Sequence, residues 1–210
     1  MGGVGGLLAY FGGGALFNAF GRVAPFVGGA VSLVVAMIVV LLFVREPHPE
    51  EVADLPLSSD VKKSGVIANL GAVFSNPDKS GLFILLGILL WFMANSALDA
   101  SLSSFAVFSL GMKPGTAAIY AGSMTIAFIL FAIPAGLLAR RLGRRRTIQI
   151  GLVGLTILPL AAFYFVRGPL AFVIVLVVAG GLWALVNVNS LPLVYDHGDE
   201  RRIGAYTGLY

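Results

Sequence analysis

The sequence contains no cysteine. No disulfide scaffold and no thiolate metal site can be built from it. Charge is also scarce: Asp, Glu, Lys and Arg make up 11% of 210 residues, against about 25% in a soluble globular domain. An ordinary soluble domain is excluded, and so is a disordered chain, which needs the opposite composition. The two histidines, His48 and His197, stand beside acidic residues, far apart and without HExxH spacing, so they read as loop residues rather than metal ligands. Neither a GxxxxGK[ST] nor a GxGxxG pattern occurs, which removes the usual signs of an ATP-driven motor or a dinucleotide fold. No convergent acid–base set is present, so no enzyme, cofactor or metal is expected.

Apolar residues are plentiful: 58% of the chain, with 27 Gly and 10 Pro and a mean hydropathy of +0.94. One bilayer-spanning helix needs about 20 apolar residues. Six such runs follow one another: Gly2–Phe20, Phe26–Val44, Leu82–Leu110, Ala117–Ala139, Ile148–Val166 and Leu170–Val194. The first lacks the positive n-region of a signal peptide, since its nearest cation is Arg22,. Its Gly2, Gly6, Ala9 and Gly13 form a small-residue face suited to close helix packing in lipid,. Pro134 predicts a kink in the fourth run, and Pro192 closes the sixth,. A seventh run starts at Ile203 and ends with the chain at Tyr210. Eight helical residues extend only about 12 Å, against about 30 Å of hydrocarbon. It reads as the start of a helix.

Residues 46–80 are the only long polar stretch. Within it Val66, Ile67, Leu70, Val73 and Phe74 recur at helical spacing,. This predicts a short amphipathic helix over 64–75 lying on the membrane surface, with an anchored loop as the alternative.

Alternating spans put Arg45, Lys62, Lys63, Lys79, the Arg140–Arg146 segment, Arg201 and Arg202 on one side. Arg22, Lys113 and Arg167 fall on the other. By the positive-inside rule the first side, with residues 46–80 and 140–146, is cytoplasmic. An integral protein of the plasma (cytoplasmic) membrane is expected. The net charge of +4 is not a nucleic-acid signal, because it sits at the ends of apolar runs and forms no soluble basic face.

Asp99 is the only charged residue inside a span. A carboxylate in hydrocarbon is costly, so it normally faces a cavity and marks a solute or proton path. The alternative places it at the outer mouth, in water. Asn95, Ser96 and Ser103 stand three or four residues away on the same helix face, and Trp91 continues it,. On the sixth run Trp183, Asn187 and Ser190 share a face at i, i+4, i+7, beside Asn189. Amides donate and accept, and an indole ring stacks on the apolar face of a sugar. Interhelical hydrogen bonding would use the same residues. Tyr120 and Ser123 are further candidates on the fourth run.

The segment Gly136-Leu-Leu-Ala-Arg-Arg-Leu-Gly-Arg-Arg-Arg-Thr-Ile148 resembles the cytoplasmic signature loop of the major facilitator superfamily, G-x-L-A-D-R-x-G-R-[KR]-x-x-[LI]. Gly136, Leu138, Ala139, Arg141, Gly143, Arg144, Arg145 and Ile148 match, and Arg140 stands where the pattern has Asp. In the family that Asp takes part in a charge network latching one conformational state. The resemblance implies an all-α, polytopic, partial major-facilitator fold: six complete transmembrane helices and the start of a seventh. Residues 1–45 would then be the last two helices of the N-terminal bundle. Residues 46–80 would be the central cytoplasmic loop, and 81–210 the C-terminal bundle. Phe43–Pro47, Asn189–Asp196 and Gly204–Tyr210 are similar to segments of the sucrose-transporter-like and glycoside–pentoside–hexuronide branch.

The resemblance implies a secondary active transporter moving a sugar or related small solute with protons across the lipid bilayer. Asp99 would be the proton- or substrate-sensing carboxylate, with Asn95, Trp183, Asn187, Ser190 and Tyr120 along the path. Gly136, Leu138, Arg141, Gly143, Arg144 and Arg145 would form the cytoplasmic latch. Two alternatives stand beside it. Drug or metabolite efflux uses the same fold. A non-transporting membrane subunit would pair Asp99 with a neighbouring chain.

Overall fold

The computed structural model describes residues 3–43 and 79–197. Among them run six long helices, each long and apolar enough to cross a membrane. They are α1 Gly3–Phe20 and α2 Ala24–Phe43, then α3 Ser80–Ser109 and α4 Pro114–Leu142, then α5 Arg144–Phe165 and α6 Pro169–His197. This is the expected all-α polytopic arrangement. The central loop with its 64–75 helix, His48 and the run from Ile203 lie outside the described residues.

Two boundaries differ from the sequence reading. The segment Arg140–Arg146 is helical except at Gly143. Arg140 and Arg141 continue α4 into its last turn, where cations meet the negative end of the helix dipole. Gly143 then reverses the chain alone, at φ 87° and ψ 147°. Only glycine reaches that region without strain. Its N–H donates to the Ala139 carbonyl at 2.9 Å, and its own carbonyl accepts the Thr147 N–H at 3.1 Å. Pro192 does not close α6, which continues to His197. One missing donor is tolerable in a helix held along its length by neighbours. Pro134 and Pro159 are likewise inside α4 and α5.

The helices pack around α4 and α6, with α5 laid on α6 and α3 leaning against α6 and α4. Small residues set the close approaches, as expected where lipid supplies no hydrophobic drive between helices. A Cβ at Gly180 of α6 would fall 2.9 Å from Ala127 Cβ on α4. A Cβ at Gly151 of α5 would fall 2.9 Å from the Leu182 carbonyl of α6. Met124, Leu176, Trp183 and Val186 are buried in the resulting core.

α1 packs on α4 at its glycines, on the expected face at Gly6, which meets Thr125, but not beyond it. Gly13 has nothing within 4 Å of a would-be Cβ, whereas one at Gly14 would lie 2.6 Å from the Gly115 carbonyl. A π turn over Leu8–Gly12 explains the shift. It inserts a residue into the helical ladder, moving the contact from Ala9 and Gly13 to Phe11 and Gly14. Phe11 then covers Gly122 of α4. α2 touches α1 and leaves nearly every apolar side chain exposed. A helix apolar all round suits a hydrocarbon surrounding.

Candidate functional site

The interior charge sits in a cavity. Asp99 lines a partly open space of about 260 Å³ bounded by α3, α4, α5 and α6. Asn95, one turn earlier, donates from Nδ2 to Asp99 Oδ2 at 3.2 Å. Among the described residues no Lys or Arg side chain pairs with Asp99; the Arg144–Asp196 ion pair lies elsewhere. The rest of the lining is apolar apart from Ser101, with Met124, Pro159 and Leu176 among it. Phe105 and Phe172 stand in the wall with ring centroids 6.2 Å apart.

The cavity face of α3 is turned away from the expected line. Leu98 and Leu102 line it together with Asn95 and Asp99, while Ser96 and Ser103 are exposed outside it. Ser101 lies at the rim instead. Because α3 is apolar nearly all round, no stripe in the sequence marks which side meets its neighbours.

The α6 candidates are placed apart from Asp99. Trp183 is buried and meets Phe92 of α3 edge-on, centroids 5.5 Å apart. Ser190 is buried and donates from Oγ to the Asn187 carbonyl at 2.8 Å. Asn189 donates from Nδ2 to the Leu185 carbonyl at 2.9 Å. Ser123 of α4 likewise donates to the Tyr120 carbonyl at 2.7 Å. These groups satisfy themselves on their own helix backbones. Asn187 and Tyr120 are half-buried, and neither lines the Asp99 cavity.

Three polar groups gain weight only in three dimensions. Tyr10, in the π turn of α1, is half-buried and within electrostatic reach of Asp99 on α3. Thr125 Oγ1 is buried without a partner, facing Gly6 across the α1–α4 contact. Trp91 Nε1 is buried without a partner on the same helix as Asp99. A buried donor without an acceptor costs free energy and is a natural place for a ligand to bind. A glycine run at 12–14 is the one sequence signal that could have drawn attention to Tyr10.

The signature-loop residues gather at the opposite end of the cavity-lining helices. Arg144 Nη1 donates to the Pro192 carbonyl at 3.0 Å and forms an ion pair with Asp196. Gly136, Ala139, Gly143, Asn189 and the Arg140 side chain surround a depression of about 460 Å³ beside this pair. Leu138 and Arg141 line an adjoining groove, and Arg145 is exposed. Gly136 has nothing within 4 Å of a would-be Cβ.

Comparison with known proteins agrees with this arrangement. The family model described as Major Facilitator Superfamily matches residues 1–210. No curated protein and no solved structure matches the chain. The family match takes in the spans, the one-residue basic turn and the carboxylate-bearing helix alike, and the chain therefore belongs to the major facilitator superfamily, a family of membrane transporters.

Proposed function

We propose that this chain belongs to a proton-coupled secondary transporter that moves a small organic solute by alternating access. Two helix bundles would rock about a site near the midplane. Residues 1–45 would belong to one bundle and 81–210 to the other, with 46–80 and 140–146 on the cytoplasmic side. The observation that carries this reading is Asp99: a carboxylate without a Lys or Arg partner among the described residues, in a largely apolar cavity. Proton uptake neutralises it, and a neutral acid crosses a low-dielectric conformational change at far lower cost than an anion. Loss of the proton on the other side resets the cycle.

Two solute classes fit. A sugar or related solute agrees with the branch-like segments and would use Asn187, Trp183, Ser190 and Tyr120. A solute with an apolar body, as in drug or metabolite efflux, is favoured by the lining around Asp99 and by the inward packing of Trp183 and Ser190.

Reconstitution of the full-length protein in proteoliposomes with a trapped pH-sensitive dye tests both. Solute-driven proton movement that disappears in Asp99→Asn supports the coupling role, and unchanged coupling in that variant overturns it. Counterflow of labelled sugar selects the first class. Proton-driven movement of an apolar dye without sugar counterflow selects the second.

A further inference from the structure

The end of α4 carries a groove separate from the Asp99 cavity. An open groove of about 650 Å³ is lined by Pro134, Leu137, Leu138, Arg140 and Arg141. Both arginines are exposed, and neither forms an ion pair among the described residues, where Asp196 is engaged by Arg144. Arg145 and Arg146 follow within one turn, so this end concentrates positive charge.

The apolar part of the groove extends along the helix. Leu130, Ile133 and Leu137 are 67%, 75% and 53% exposed. Their spacing of three and four residues puts them on one face of α4, in line with Arg140 and Arg141. From Leu130 to Arg140 the helix rises about 15 Å, half of a hydrocarbon core about 30 Å thick. A strip of that length would be one leaflet deep and would set its two guanidinium groups at the level of the headgroups.

From this geometry we infer that the groove binds an anionic phospholipid. Arg140 and Arg141 receive the phosphodiester with their planar forks. An acyl chain lies along Leu137, Ile133 and Leu130. A zwitterionic lipid carries the same phosphate, but its headgroup cation would meet the arginine cluster and be repelled. Arg140 is the residue that departs from the signature pattern. An Asp at that position would repel the phosphate, whereas Arg140 attracts it.

The test is lipid retention, which does not depend on transport. Purified full-length protein is exchanged into nanodiscs of phosphatidylcholine doped with phosphatidylglycerol, and bound lipid is counted by native mass spectrometry. The wild type retains phosphatidylglycerol in preference. Arg140→Gln and Arg140→Asp weaken that preference roughly 5-fold and roughly 30-fold, for one and two units of charge near an anionic headgroup. Leu137→Ser weakens retention of both lipids without changing the preference. Arg167→Gln, at the other end of α5, changes nothing. Equal retention of the two lipids by the wild type overturns the proposal, and so does an unchanged preference in Arg140→Asp. Competition by free glycerol phosphate would assign the site to a soluble anion and overturn the lipid. Failure of the proton-coupling assay leaves this result untouched.

Discussion

Arg144, in the first turn of α5, is tied to Asp196, in the last turn of α6, by an ion pair. The same guanidinium donates to the Pro192 carbonyl at 3.0 Å. The side chains are 39% and 50% exposed, and exposed pairs contribute only about 0–1 kcal/mol. Arg144→Gln, which loses both contacts, is expected to loosen the end of α6 more than Asp196→Asn, which loses one. Hydrogen exchange of the last α6 turn measures the difference. Equal effects would mean the Pro192 contact contributes nothing.

Gly143→Ala should destabilise the protein by about 1–3 kcal/mol, the cost of a residue forced into a glycine-only region. Gly143→Asn should not rescue it, because ψ of 147° is outside the left-handed helical region that asparagine tolerates,. Thermal unfolding in nanodiscs reports both variants.

Two other glycines are expected to behave oppositely. Gly180→Ala would press a methyl group onto the α4 backbone at Met124 and should cost about 1–3 kcal/mol by overpacking. Gly136→Ala meets open space within the described residues and should fall within about 0.5 kcal/mol of wild type. A large loss in the second variant would place another helix against Gly136.

Thr125→Val removes a buried hydroxyl that has no partner and keeps the shape of the side chain. Its stability should rise, by up to about 1 kcal/mol. A fall would mean that the hydroxyl has an acceptor in the folded protein. A rise in stability with a loss of transport would place Thr125 on the solute path.

Asp99→Leu should make the same exchange more strongly. Replacing a carboxylate by an apolar group in a cavity walled by Met124, Leu176 and Phe172 removes a desolvation cost. Unfolding temperature should rise while proton coupling is lost. A variant both less stable and uncoupled would show that Asp99 holds the bundle together.

The spans were legible because hydropathy and length are properties of the sequence alone. The turn at Gly143 was legible as well, although its shortness was not: a seven-residue segment with five arginines read as a loop, yet a helix can run past the hydrocarbon and keep its hydrogen bonds. The site was legible only in part. Asp99 and Asn95 stand out as ionisable and amide groups in an apolar run, and they do meet across one turn. The separation of Trp183 and Ser190 from Asp99 was not legible, nor was the nearness of Tyr10. Helices that are apolar on every side do not announce which face they bury. The π turn in α1 rotated one such face by a residue, with only a run of glycines to hint at it.

A connection of one residue leaves no slack. Consecutive Cα atoms are about 3.8 Å apart, so the end of α4 at Leu142 and the start of α5 at Arg144 cannot separate or slide. They can only pivot, like the two legs of a drawing compass joined at Gly143. With Arg144 clasping α6 at the same joint, a tilt imposed on α4 is handed to its neighbours. Such a pivot would turn an angular change at this end of the bundle into a change of width further along it, toward the Asp99 cavity.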